Sequence, residues 1–543
     1  MLLRRLTVFV GGARLDAVEQ VCTEDGPTHR SPGADGITAD RIVDLLAGLV
    51  DKSLIMVAAA DGEARYTMLE TIRAYASEQL ADAGEHTALR AAHSKYYAEL
   101  AAASVPLLHG ADQLRWLQRL SAERANMRTA IEYTSGHGDG ETALRLAGSL
   151  SQFWWFTGDV TDSRRLATLA LHAADPAPSP DRAAALTFVA WLIRNERTPE
   201  LVGILEEAAE YYRSIGDHDG AALPTALLAE ELRRQGQRQR SQELVAQTNA
   251  ATGWSGAVAQ MLLGGTAIMQ GDLRQAEHEL TTALARFREL GDRWGQAESL
   301  YLLGVLAHIR GRYEQALQAL DEGAELATQL GSTDQIIKLL AIAGNILVLS
   351  GDYPAAQERH EEALRLAQRL SLQSEIAFIH NGMGLCARRR GRLREARIHH
   401  EQALAIYRRG GLWSGVALAH AWLGYTAELE GDADQAETQH QDSLAIELET
   451  GNPRAIALPL EGLAGVAILR GDYQRCATLL GAATALRASV DAPLPPAERV
   501  DVDRAAGVAR AHLDNGAFDL AFDQGAAMTL DAVCTYATTL EPT

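Results

Sequence analysis

Five histidines fall on a regular spacing: His360, His400 and His440 stand forty residues apart, and His380 and His420 follow the first two by twenty. Imidazole is the usual metal ligand and the side chain that changes charge near neutral pH, so a metal ladder or a pH sensor is conceivable. The same place in neighbouring stretches holds Leu280, Leu320 and Leu480. A site that accepts leucine is an apolar seam, and the histidines are expected to be packed and hydrogen-bonded there. His399 beside His400 does not help a metal site, because adjacent helical residues point about 100° apart. Cys22, Cys386, Cys476 and Cys534 are far apart and form no C-x-x-C pair, which argues against zinc and a disulfide framework and fits a reducing cytoplasm. Only three lysines occur, Lys52, Lys95 and Lys338, and no G-x-x-x-x-G-K-[ST] string is present, so ATP hydrolysis is not expected. No Ser-His-Asp or Cys-His arrangement can be placed. The expectation is a non-enzymatic chain with no catalytic residue, no cofactor and no metal.

The element that positions these residues is a repeat. Gly271, Gly311, Gly351, Gly391, Gly431 and Gly471 recur every forty residues without an insertion. Five residues after each comes Ala276, Ala316, Ala356, Ala396, Ala436 or Cys476, and seven before five of them comes Gly304, Gly344, Gly384, Gly424 or Ala464. Such a pattern predicts a helical hairpin: one helix ends at the glycine in a left-handed cap, and a second runs about 19 residues to Gly291, Gly331, Ser371, Gly411 or Gly451. Leu273, Ala276, Leu280, Ala283 and Leu284 make the buried stripe. One hairpin cannot cover that stripe, so hairpins must stack. Gly304…Gly311-Arg-Tyr313-Glu-Gln-Ala316 and Gly344…Gly351-Asp-Tyr353-Pro-Ala-Ala356 resemble the tetratricopeptide repeat, with a period longer than the usual 34 or so. Degenerate copies are expected upstream, with breaks at Gly216-Asp217, Gly236 and Gly253.

Stacked hairpins present the first helix of each on a concave face. Positions six and three before, and one and four after, the small residue should line it, which selects Glu298, Tyr301, His308, Lys338, Asn345, Asn381, Arg388, Tyr425, Glu428 and Glu461. Polar groups with two tyrosines suit an extended protein or peptide ligand.

Residues 1–80 differ: an apolar helix near Leu6–Val21, a helix in Ala39–Val50, and apolar runs Ser53–Val57 and Ala64–Leu69 flanking Asp61-Gly62. Helices plus one hairpin are the inventory of a winged helix. Leu6-Thr-Val-Phe-Val-Gly-Gly12, Asp44–Leu54 and Arg65–Leu80, then His93, Trp116, Leu120–Ala130, Leu146–Phe156 with its Trp154-Trp155 pair, and finally Gly516, Phe518 and Gly525, resemble the actinobacterial LuxR- and AfsR-type regulators of the STAND class. That resemblance implies a winged-helix spacer, a repeat sensor for a peptide, a protein or a small effector, work with an intact ATPase-containing regulator, and transcriptional control. The family's phosphate-binding loop and its terminal helix-turn-helix are missing from this sequence, as though a regulator were reduced to its winged-helix and sensor parts, or a preceding ATPase domain cut away. The Trp154-Trp155 pair is expected in a core.

The fold class expected is therefore all-α: a small winged-helix module with one β-hairpin, followed by an α-α superhelical tetratricopeptide-type solenoid. The expected divisions are 1–85 winged helix, 86–180 helical connector, 181–490 solenoid and 491–543 helical cap, with the proline runs 175–180 and 493–496 as linkers. At 543 residues the chain exceeds what one core supports. A net charge of −21 opposes nucleic-acid phosphate, and residues 1–80 hold eight Arg or Lys against twelve Asp or Glu. Direct DNA contact is not expected, although a DNA-binding repressor acting through the winged helix is the alternative. No apolar run is long enough for a membrane span.

Overall fold

The computed structural model describes residues 1–23, 37–60, 63–158, 160–194 and 198–538. The Asp61-Gly62 turn lies outside them. The chain divides into two compact units, Met1–Ala259 with Arg286–Arg293, and Gln260–Ala285 with Trp294–Thr543.

The first unit opens with α1 (Leu2–Arg5), β1 (Ala13–Arg14), α2 (Leu15–Cys22), α3 (Ala39–Asp51), β2 (Met56–Ala60), β3 (Glu63–Thr67) and α4 (Glu70–Asp82). The strands form an antiparallel sheet in the order β1-β3-β2, with Val57 opposite Tyr66 and Ala13 opposite Tyr66 on its other edge. The expected hairpin is present and a third short strand joins it. The expected continuous helix over Leu6–Val21 is not formed. A 3-10 turn spans Leu6–Val8, and Gly11 and Gly12 then take φ of +81° and +86° to turn the chain into β1. A side chain at Gly12 would collide with the Tyr66 carbonyl, which is why the helix must stop there. Phe9, Val18, Ile42, Leu46 and Leu80 are at most 1% exposed and make the module's core.

Helices α5 (His86–Ser104) and α6 (Gln113–Gly136) receive this module through a buried polar network. The Arg65 guanidinium donates to both carboxylate oxygens of Glu123 and to the carbonyls of Gly11 and Gly12. Glu123 also accepts from Tyr97 Oη at 2.7 Å and from Asn126 Nδ2 at 2.7 Å. Asn126 accepts from the Val10 amide at 2.7 Å and faces His93. Burial lowers the His93 pKa to about 3, so it stands neutral. These contacts tie Gly11-Gly12, Arg65, His93 and Asn126 into one network. Helices α7 (Gly140–Thr157), α8 (Val160–Ala173), α9 (Pro180–Ile193), α10 (Glu200–Ser214), α11 (His218–Arg234) and α12 (Arg238–Thr248) follow. Trp154 is buried against Phe188, while the half-buried Trp155 ring lies 3.9 Å from that of Trp191. Gly216 and Gly236 take positive φ at the breaks between α10, α11 and α12.

The repeats continue through α13 (Trp254–Gln270), α14 (Leu273–Leu290), α15 (Arg293–Ile309), α16 (Tyr313–Leu330), α17 (Thr333–Leu349), α18 (Tyr353–Arg369), α19 (Gln373–Arg389), α20 (Leu393–Gly410), α21 (Trp413–Glu430), α22 (Ala433–Thr450), α23 (Pro453–Leu469) and α24 (Tyr473–Ser489). Every glycine break predicted from Gly271 to Gly471 is left-handed, and so is Ser371 at φ +56°, whereas Gly253 upstream does not take a positive φ. After the first-helix glycine the next amide donates back to the helix, as in Asp432 to the Ala427 carbonyl at 3.0 Å. Where an aspartate follows the glycine it also caps the second helix: Asp272, Asp352, Asp432 and Asp472 accept from the amide three residues on. The glycine seven before each break meets the residue nine after it. A methyl at Gly304 would lie 2.8 Å from Leu320, and one at Gly344 2.5 Å from His360. Gly384 meets His400 and Gly424 meets His440 in the same way. The small residues are what let the helices of a hairpin approach. The chain ends in α25 (Val500–His512), α26 (Asn515–Ala527) and α27 (Leu530–Thr538), whose Ala505, Phe518, Ala521 and Val533 close the last hairpin's apolar face.

Candidate functional site

The ten residues selected by the concave-face rule fall into three settings. Glu298, Tyr301 and Lys338 form a local cluster across α15 and α17. Lys338 Nζ lies 3.9 Å from both Glu298 and Asp334, and Gln335 donates to Glu298 at 3.2 Å. Glu298, more than any other group, raises the Lys338 pKa. The Lys338 side chain remains 36% exposed.

Asn345 and Asn381 do not face a ligand. They point into the seam, where Asn345 Oδ1 sits 3.0 Å from His360 Nε2 and Asn381 Oδ1 3.2 Å from His400 Nδ1. The reason is that an imidazole in the leucine position brings buried polar atoms that need partners. His440 has none: both its ring nitrogens are buried without a hydrogen bond, and the flanking residues on facing helices are Gly424 and Gly462. Burial lowers the pKa of His360 to about 4 and those of His400 and His440 to about 3. The three are packed in the seam; two are hydrogen-bonded as expected, and His440 is not. His380 lies on a more open surface with Nδ1 3.1 Å from that of His399. Among the described residues no group of three or more His, Cys, Asp or Glu side chains is placed to hold a metal ion.

The remaining five, His308, Arg388, Tyr425, Glu428 and Glu461, line a charged groove, but the chain itself occupies it. Arg388 Nη1 donates to Asp501 Oδ2 at 2.9 Å while its guanidinium lies over the rings of Trp422 and Tyr425, at 5.5 and 5.4 Å. Arg504 donates to Glu428 at 2.6 Å, and Arg487 grips Glu461 with two bonds of 2.5 and 2.8 Å. His308 Nε2 is 3.7 Å from Glu498, and Tyr425 Oη donates to the Leu458 carbonyl. Burial followed by Arg454 lowers the His308 pKa to about 4. Burial raises the Glu428 and Glu461 pKa values despite their arginine partners. Sequence reading missed Arg389, Arg454, Asp501 and Arg504 here. The first two sit outside the positional rule, and the last two belong to a segment read as a cap.

A cleft of about 240 Å³ opens between α14, α15 and α16, lined by Leu300, Leu303, Leu306, Arg310, Gln315 and Gln318. It holds none of the ten.

In the winged helix, α3 precedes the β2-β3 wing as a recognition helix does. Its exposed positions carry Asp40, Asp44 and Asp51 against Arg41, a balance that repels phosphate. Among the described residues no helix is long and apolar enough to cross a membrane.

Residues 1–81 match the winged helix-turn-helix domain family, and residues 257–329 and 335–409 match the tetratricopeptide repeat family. A protein of Mycobacterium tuberculosis provisionally named as an HTH-type transcriptional regulator is 33% identical over 241 residues, 42% of this chain and 25% of that protein. The chain thus spans a quarter of the length of such relatives. Among solved structures, a STAND protein with a tetratricopeptide repeat sensor from Pyrococcus horikoshii is 16% identical over 92% of this chain and 64% of its own, at a TM-score of 0.41. A Rap protein complexed with Competence and Sporulation Factor is 12% identical over 71% of this chain and 99% of its own, at a TM-score of 0.42. The chain is thus similar to HTH-type regulators and carries a winged helix and tetratricopeptide repeats.

Proposed function

We propose that this chain is a non-catalytic scaffold of transcriptional regulation, similar to the LuxR- and AfsR-type STAND regulators, whose solenoid binds a protein or peptide segment. The observation that carries the reading is the groove: in a chain of net charge −21, Arg388, Arg389, Arg454 and Arg487 gather with tyrosine and tryptophan faces along one surface. Arginine with aromatic neighbours is the composition of protein recognition sites. The winged helix, with its acidic α3, acts as a spacer and not as a DNA reader. On this reading any ATP chemistry belongs to a partner, an intact ATPase-containing regulator, and the lack of a G-x-x-x-x-G-K-[ST] string in these residues supports it.

Titration calorimetry between the full chain and such a regulator tests this. A saturable complex, with no ATP binding by the chain alone, is expected. A promoter shift by this chain that survives physiological salt would replace the proposal with direct DNA binding. The alignments, which span a quarter of the relatives, favour one second reading: these residues are the sensor part of a longer ATP-dependent regulator. An immunoblot of source cells separates the two by size.

A further inference from the structure

Between α24 and α25 the chain crosses the ends of successive first helices. Val490 lies against Gly271 and Pro495 against Gly311, each so close that a methyl on the glycine would collide with it. The Ala497 carbonyl accepts from Arg389 Nη2 at 3.1 Å, Asp501 accepts from Arg388, and Arg504 donates to Glu428. Pro493 and Pro495 keep residues 492–495 extended and strip them of donors, and a 3-10 turn over Pro496–Glu498 then leads into the first turn of α25, which carries Asp501 and Arg504. Of residues 490–504 only Ala492 and Pro495 are buried.

The fit is incomplete. Glu498 reaches His308 only at 3.7 Å and Tyr313 only at 3.4 Å, and Arg388 Nε and Arg389 Nε are buried without a hydrogen-bond partner. Arg454 stands near enough to influence Glu498 without a hydrogen bond to it. Buried guanidinium donors left unpaired are costly, so this segment satisfies the groove less fully than a better-matched ligand would. Burial raises the Glu498 pKa, whereas Arg388, Arg389 and Arg504 outweigh burial to lower that of Asp501.

We infer that residues 490–504 are an internal occupant of a peptide groove, and that the groove takes in trans a segment of another protein in which a short proline-containing extended stretch runs into a helical turn carrying two carboxylates three residues apart. Those acids reach Arg388, Arg389 and Arg454 in place of Asp501 and Glu498. The inference rests on the protein-binding reading above and adds its ligand chemistry and its regulation. The segment is held by α24 at one end and by the buried Ala505 and Ala509 of α25 at the other, so it leaves the groove as a loop once the first turn of α25, Val500–Arg504, unwinds. Tethering gives it a millimolar effective concentration, so an incoming peptide must outcompete it.

The test uses a fluorescent synthetic peptide of residues 490–504 and the full chain, read by anisotropy. Weak binding to the wild-type chain is expected, and roughly tenfold tighter binding to the Glu498→Gln/Asp501→Asn variant, whose internal competitor is weakened. Arg389→Ala in that background should abolish it, and added salt should weaken it. Glu498→Gln alone removes only long contacts and keeps the fold, so it should shift affinity the same way by a smaller factor and decides the matter if the double variant unfolds. Equal binding to all forms, or binding to none, overturns the inference. If the complex with the ATPase-containing regulator still forms while the peptide binds no form, this inference alone fails; if neither binds, both readings fail.

Discussion

Replacing His440 by leucine is the sharpest probe of the seam. The position holds leucine in the repeats of Leu280, Leu320 and Leu480, and both His440 ring nitrogens are buried without partners. Folding holds this imidazole neutral, with its pKa lowered by burial to about 3 against 6.5 in an unfolded chain. A histidine of lowered pKa contributes stability that is complete above about pH 6.5 and is lost as pH falls through the window down to about 3, because only the unfolded chain takes up the proton. At about pH 5 that uptake favours unfolding by about 2 kcal/mol, one and a half pH units at 1.36 each. His360 and His400 behave alike, so the three together amount to roughly 6 kcal/mol. His440→Leu should therefore remove about 2 kcal/mol of the acid destabilisation, and near neutrality should add about 1 kcal/mol by deleting unpaired polar atoms. Urea unfolding of wild type and variant at about pH 7.5 and pH 5 measures both effects. Equal pH slopes in the two proteins would refute the reasoning, since they would mean that His440 already titrates in the fold.

Other outcomes follow from single contacts. Ser371 is a left-handed non-glycine at a repeat break, at φ +56°, as is Asp491 at +52°, so Ser371→Gly should stabilise by about 1 kcal/mol in urea titrations; no gain would mean that the strain is already relieved. Ala316 is fully buried in the hairpin, and Ala316→Leu should cost roughly 1–3 kcal/mol in the same assay; a neutral result would displace the repeat register. Arg65→Met leaves the buried Glu123 carboxylate without its cation, and hydrogen exchange should report a loss of about 3–5 kcal/mol in the winged helix. Unchanged protection would mean that the docking of the module does not depend on this ion pair.

How far the sequence could be read depended on whether the signal was local. The forty-residue glycine spacing located the hairpin breaks, down to the anomalous Ser371, because a left-handed cap is a property of a few consecutive residues. The histidine seam was legible by comparison with leucine at the same repeat position. The helix expected over Leu6–Val21 failed because two glycines turn there to meet β3, a long-range contact that no local propensity carries. Asn345 and Asn381 satisfied the concave-face rule, yet they turn to histidines in the seam. A positional rule gives the face of a helix but not which neighbour claims a side chain.

The sequence by itself determined the architecture of this protein, since periodic small residues, caps and apolar stripes act within one hairpin and its neighbours. Only the tertiary structure decided what lies in the groove. Arg388 meets Asp501 across 113 positions and Glu428 meets Arg504 across 76, and such pairings arise from the stacking of the repeats, not from any spacing along the chain. The same holds for the docking of Arg65 on Glu123, 58 positions apart. A buried charge takes the partner that the packed helices bring to it.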